Sequence, residues 1–414
     1  MVKLNNQHLG SHAMLTFAAI TLFYFFESAQ MAYFNVLAPS LISSGAYHHA
    51  QIAAISAAYY YGDMVGLFPV GWALDRLPLR KTLIFAIIGS LVGTFLLFST
   101  DNFFLQFIAR FISGFFGGTF AFLGGIRLIA LLFPKRFSYY IGLFLAAGMF
   151  GGLICQYPLL VIVNHFGPDM AMKVVFLVGV LVVIFNFLYL KPKEAVHTDK
   201  DSLPRQPFLT VFREIVFNLR NLTDVIMVFM LDTPVSVIGT LWGVVLFMGF
   251  FHFSPAVSSW VVMSLFAGLM LGLPVWGKLA DALGNRPWMI ATGAGISFII
   301  TLLLFAMQSS ASVIPVMLLL FVLGFFSSVQ SIGFSWLTKN MKPELIGRNS
   351  AYNSVIFMGS NGAIKQLGGF MLGLPAILLG SGSAANLLLI IAITMLLATI
   401  YPLVRPLLYR DAVY

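Results

Sequence analysis

The chain has 414 residues, of which 60% are hydrophobic, 15% aromatic and only 9% charged, with a mean hydropathy of +0.95. About a quarter of the residues in a soluble domain are charged, so this sequence lacks the polar surface to cover a water-facing globule, and a cytosolic enzyme is excluded. Twenty-three basic against 14 acidic residues give a net charge of +9, a balance that in a soluble chain would suggest a nucleic-acid partner; here the positions of the charges supply another reason.

Long apolar segments run at 13-40, 50-74, 82-99, 103-133, 138-165 and 171-190, then at 221-250, 256-280, 287-307, 312-338, 349-374 and 383-404. A membrane helix needs about 20 apolar residues, and runs this long without alternation satisfy their backbone in lipid only as helices. The spacing predicts an all-α membrane protein of twelve transmembrane helices in two six-helix bundles, residues 1-190 and 221-414, joined by a polar linker over 191-220. Lys3 alone precedes the first apolar run, and no small-residue cleavage site follows, so an uncleaved first span is expected. Cys155, in an apolar run, has no second cysteine to pair with and predicts neither a disulfide nor a metal cluster.

With the N-terminus inside, one set of loops carries Arg76, Arg80, Lys81, Arg136, the linker, Arg286 and Arg405, whereas the opposite loops offer only Lys173. Cytoplasmic loops are enriched in Lys and Arg. Both termini and the linker are therefore expected in the cytoplasm, and the surplus charge requires no nucleic acid.

The two halves repeat one another. Gly71-x-x-x-Asp75-Arg76-x-x-x-Arg80-Lys81 after the second span is matched 206 residues later by Gly277-x-x-x-Asp281-x-x-x-x-Arg286, and Arg110-x-x-x-Gly114-Phe-Phe by Leu320-x-x-x-Gly324-Phe-Phe. Duplicated halves point to a transporter whose substrate site lies between them near the bilayer midplane. Within the first loop, Gly71 permits close helix approach and Asp75 can bond a neighbouring helix N-terminus or pair with Arg76 or Arg80, latching one bundle on the other; plain cytoplasmic charge is the simpler account.

These residues resemble the major facilitator superfamily over essentially the whole chain. Its signature loop is matched at Gly71, Asp75, Arg76, Arg80 and Lys81, with Pro78 where the family has glycine; the second copy keeps Asp281 and Arg286 but has Ala282 and Pro287 in place of basic residues. The Tyr59-Tyr60-Tyr61 run, Pro69 to Asp75 and Phe120 to Arg127 are similar to a bacterial branch akin to the anion:cation symporters. The resemblance implies alternating access in a bacterial inner membrane and a conformational latch at the signature loops. It also implies a role in coupling for Arg110 and a position on the inner vestibule for Arg127.

Ionisable groups inside a bilayer cost about 2.5-3.5 kcal/mol each on insertion scales, so they have a partner or a task. Six stand out: Glu27, Asp63, Arg110, Arg127, Asp232 and Lys365. Glu27 shares a helical face with Tyr24, Gln30 and Met31, a stripe that can line a wet cavity, where a carboxylate is suited to take up and release a proton; a fixed salt bridge to an arginine is the alternative. Asp63 has the same two readings. Arg110 and Arg127 bracket the midplane and can hold an anionic solute bidentately, or can instead neutralise Glu27 and Asp63. Asp232, Ser236 and Thr240 form one polar face, Asn353, Asn361 and Lys365 another, and an Asp232 to Lys365 pair is expected if the two spans touch.

Gly272 to Lys278 has phosphate-loop spacing, but Leu279 replaces the magnesium-binding hydroxyl and no strand precedes it. His48 and His49 read as a solvated turn. No cofactor is expected, and no motif of a zinc or serine hydrolase is present. The expected partners are a small polar, anionic solute, a proton and the lipid bilayer, with a monomeric protein. The alternatives are a siderophore or drug exporter of the same superfamily and a non-transporting receptor or scaffold.

Overall fold

The computed structural model describes residues 2-191, 219-283, 287-307, 312-338, 343-375 and 383-408. Nearly all of the linker and Arg286 fall outside them, as do the side chains of Gly71, Asp75 and Asp281. The first half of the chain forms α1 (Val2–Ala32), α2 (Phe34–Ser43), α3 (His49–Arg76), α4 (Leu79–Phe98), α5 (Phe103–Phe116), α6 (Gly118–Leu132), α7 (Phe137–Ile154) and α8 (Tyr157–Tyr189). The second forms α9 (Leu219–Pro234), a π-helix (Val235–Trp242), α10 (Gly243–Phe250), α11 (Pro255–Leu283), α12 (Pro287–Met307), α13 (Val313–Ser327), α14 (Gln330–Thr338), α15 (Pro343–Gly373) and α16 (Ala385–Leu408). No strand occurs among the described residues.

Nine stretches of the described chain are long and apolar enough to cross a membrane. One of them, Tyr140–Tyr189, folds back at Gly167, whose φ of 81° no side chain would favour. The longer, more polar α3 and α15 pack along each other. The apolar core runs through both halves, from Phe23, Phe26 and Leu37 to Trp242 and Phe247. Phe85, Phe104, Ile314 and Phe370 are instead 60-68% exposed, an outward apolar surface suited to lipid and costly in water.

Several spans expected to be continuous are broken. The first changes register at Tyr33, the fourth is cut at Gly117 (φ −88°, ψ −84°) and the tenth between Ser327 and Gln330, while the seventh widens into the π-helix. The halves repeat at the level of packing as well as sequence. A Cβ on Gly62 would strike the Phe111 carbonyl and one on Gly114 the Tyr59 carbonyl; 206 and 210 positions later, Gly268 meets the Phe321 carbonyl and Gly324 the Leu265 carbonyl. Only glycine allows the backbones of α3 and α5, and of α11 and α13, to approach so closely.

The ends of the bundle differ. At the linker face, Thr16 donates to the Tyr189 carbonyl at 3.0 Å, and Arg405 grips Asp224 with two bonds of 2.8 and 2.9 Å, joined by the Tyr401 hydroxyl at 2.8 Å. At the far face the two halves meet directly, α2 against the π-helix and α10, α3 against α15, and α7 and α8 against α11.

Candidate functional site

The break at Gly117 organises the first half's charges. With helical hydrogen bonding interrupted there, the first N–H groups of α6 need outside acceptors, and Asp63 on α3 supplies one: its Oδ1 accepts the Thr119 N–H at 2.6 Å and the Thr119 hydroxyl as well. Beside it, the Glu27 carboxylate occupies the space a Cβ on Gly117 would need. Glu27 is fully buried. It accepts hydrogen bonds from Tyr59 at 2.6 Å, Ser90 at 2.7 Å and the Gln30 amide at 3.4 Å to each oxygen.

Arg110 is also fully buried but makes no direct ion pair with Glu27. Gln30 stands between them: its amide nitrogen faces the carboxylate, and its side-chain oxygen accepts from Arg110 at 3.5 Å and from Thr94 at 2.9 Å. The guanidinium also donates to the Gln30 carbonyl at 3.0 Å and the Tyr33 hydroxyl at 3.3 Å, and lies 4.7 to 5.2 Å from the ring centres of Tyr59, Tyr33 and Phe34. A cation desolvated among aromatic faces gains about 2 kcal/mol, so aromatic quadrupoles and neutral oxygens, rather than a carboxylate, hold this charge.

The remaining residues are distributed differently from a single stripe. Glu27 and Gln30 point into the first half, whereas Tyr24, Ser28 and Met31 are half-buried, Tyr24 stacked on Phe144 at 4.4 Å. Arg127 donates to the Leu74 carbonyl at the end of α3, beside the signature loop. Within that loop, Arg80 donates to the Phe187 carbonyl at 2.8 Å, while Arg76 and Lys81 are exposed.

In the second half the two polar faces meet, but Asp232 and Lys365 are not in direct contact. Ser236 donates to Asp232 at 2.8 Å and also bonds Asn361, and Asn221 donates to Asn353 at 3.1 Å. One turn further, Lys365 donates to Thr240 at 2.6 Å. Lys365 is fully buried and crosses between the halves, donating to Ser56 on α3 at 3.4 Å with its ammonium 4.5 Å from the Tyr60 ring centre. The expected pair does not form because Lys365 lies level with Thr240, eight positions along from Asp232, and each charge is met by a hydroxyl of its own, Ser236 for Asp232 and Thr240 for Lys365.

Sequence reasoning missed a polar clasp at the far face. Asn35 donates to the carbonyls of Ile238 at 2.8 Å and Gly239 at 3.0 Å and accepts from the Val244 N–H at 3.0 Å; Gln156 adds a bond of 3.2 Å to the Gly239 carbonyl. A π-helix displaces backbone groups from their usual partners, and here the other half of the chain satisfies them. The available signal was Asn35 itself, an uncharged polar residue in an apolar run.

A family model described as Major Facilitator Superfamily matches residues 20-231. Among solved structures, a mutant form of the nucleoside transporter NupG is similar with a TM-score of 0.72 at 13% identity, covering 94% of this chain and 99% of that one. A D-xylose-proton symporter is similar with a TM-score of 0.71 at 14% identity, covering 93% and 97%. No curated protein sequence matches significantly.

Proposed function

The chain belongs to the Major Facilitator Superfamily, and from that premise we propose that this transporter moves a small polar, anionic organic solute by alternating access in symport with protons. We place it in the bacterial inner membrane with the linker face in the cytoplasm, where Arg76, Arg80, Lys81 and Arg405 lie. Residues 1-190 and 221-414 are the two rocking bodies in this reading.

The observation that carries the proposal is the separation of Glu27 from Arg110 by Gln30. The acid and the base share one buried cluster without neutralising each other by contact. Protonating Glu27 removes one negative charge and shifts the balance of the buried groups toward Arg110 and, at the junction of the halves, Lys365. Anion binding is thereby favoured in the protonated state, and by linkage a bound anion favours protonation. That reciprocal preference is the thermodynamic requirement for symport. The fold of a D-xylose-proton symporter is compatible with the reading.

Purified protein in proteoliposomes supplies the test, with thermal shift against a panel of carboxylates and phosphates choosing the solute. An inward-directed pH gradient should drive accumulation of the stabilising anion, and counterflow should persist without the gradient. Counterflow without any response to pH would remove the proton; no counterflow with any stabilising anion would remove the solute class.

A further inference from the structure

The break in the fourth span treats the two oxygens of Asp63 unequally. Oδ1 takes both the N–H and the hydroxyl of Thr119, whereas Oδ2 is buried with no hydrogen-bond partner. Oδ2 lies 2.6 Å from the place a Cβ on Gly118 would occupy, and the Glu27 carboxylate fills the matching place at Gly117. Two acids from two helices therefore flank the same pair of glycines, which leaves room for carboxyl groups where side chains would otherwise stand.

The titratable groups around Asp63 are Tyr24 and Glu27 on α1 and Tyr59 and Tyr60 on its own helix. Thr119 is its partner on α6. The nearby cations are engaged elsewhere, Arg110 on α5 with Gln30 and Tyr33, and Lys365 on α15 with Thr240 and Ser56. A buried carboxylate with one oxygen lacking any donor bears a large desolvation penalty. The neutral acid fits the same geometry at lower cost: a hydroxyl on Oδ2 is cheaper to bury than a bare charge, and Oδ1 remains the acceptor for both Thr119 donors.

We propose that Asp63 is a second proton-binding site, so that Glu27 and Asp63 together carry two protons when the far face is closed. The inference rests on the proton-symport reading and extends it. Loading both acids leaves Arg110 and Lys365 opposed only by Asp232 among these five buried charges, so each proton adds to the attraction for an anion.

Infrared spectroscopy of the purified protein during a pH titration tests this without any solute, because protonated carboxyl groups have a deuterium-sensitive C=O band distinct from carboxylates. The wild type should show at least two such components, one lost in Asp63→Asn and a different one in Glu27→Gln, with Asp232→Asn identifying any third. Thr119→Val keeps the N–H donor and removes the hydroxyl, so it should shift the Asp63 component to higher frequency if Asp63→Asn does not fold. An unchanged carboxylic-acid spectrum in Asp63→Asn, or in Thr119→Val where that variant has to stand in for it, overturns the proposal. Loss of the Glu27 component alone leaves the symport reading standing with one proton, and loss of neither removes both.

Discussion

At the scale of single residues, Glu27 and Lys365 make opposite tests of the same cycle. Gln at position 27 retains an oxygen acceptor, and the hydroxyls of Tyr59 and Ser90 can rotate to meet its amide, so Glu27→Gln should fold. It should lower accumulation driven by a pH gradient to the part that a single remaining proton on Asp63 supports, while preserving solute-for-solute exchange, which moves no net proton. Equal loss of both activities, with a stability loss of several kcal/mol, would instead mark Glu27 as a structural counter-charge. Lys365→Gln keeps a donor for Thr240 and Ser56 but deletes the charge; it should raise the KM for an anionic solute about tenfold, equivalent to about 1.4 kcal/mol, with little change in Tm. An unchanged KM would exclude Lys365 from anion recognition. These charged residues were legible in the sequence because an ionisable group in an apolar run is costly and has either a partner or a task. Their partners were not: Tyr59, Ser90 and Thr94 are neutral, lie 32 to 64 positions from the groups they bind, and belong to residue types that serve equally well as packing.

At the scale of elements, apolar run length located the helices, whereas the interruptions that matter to the site depend on hydrogen bonds no hydropathy pattern records. Nothing in the hydropathy of the fourth span marks Gly117-Gly118 as a break, yet the break there frees the Thr119 N–H that Asp63 accepts. Likewise, nothing in Val235–Trp242 announces a π-helix. Asn35 satisfies it from the other half, and removing Asn35 leaves the Ile238 carbonyl and the Val244 N–H without that partner, while the Gly239 carbonyl keeps Gln156. Each buried group left unsatisfied costs about 1-3 kcal/mol, and the cost falls on the far-closed state because the clasp is made across the far-face contact. Asn35→Leu should therefore shift the population toward a far-open state by at least tenfold. The shift can be read as faster modification of Ser56→Cys, in a Cys155→Ser background, by a membrane-impermeant thiol reagent added from the far side. Ser56 is buried beside Lys365 between the halves, so an unchanged rate would show that the clasp does not hold the gate.

At the scale of the whole molecule, alternating access requires the far-face contacts to have a counterpart at the linker face that forms when they break. The sequence puts candidates there twice, at Gly71 to Lys81 and at Gly277 to Arg286. In the conformation described, Arg80 is engaged within the first half by the Phe187 carbonyl, but Arg76 and Lys81 are exposed, free of the enclosure a closed linker face would impose. If the loop is a latch, reversing its acid should destabilise the linker-closed state and favour the far-closed conformation. Asp75→Lys should then slow Ser56→Cys modification and transport together, the opposite of Asn35→Leu. The two sites lie in opposite ends of the bundle, so their effects on a single equilibrium should add, and the Asp75→Lys, Asn35→Leu double variant should return toward the wild-type labelling rate. An Asp75→Lys protein that inserts normally and labels and transports like the wild type would reduce the loop to a topology signal. A double variant labelling as fast as Asn35→Leu alone would show that clasp and loop do not act on one two-state equilibrium.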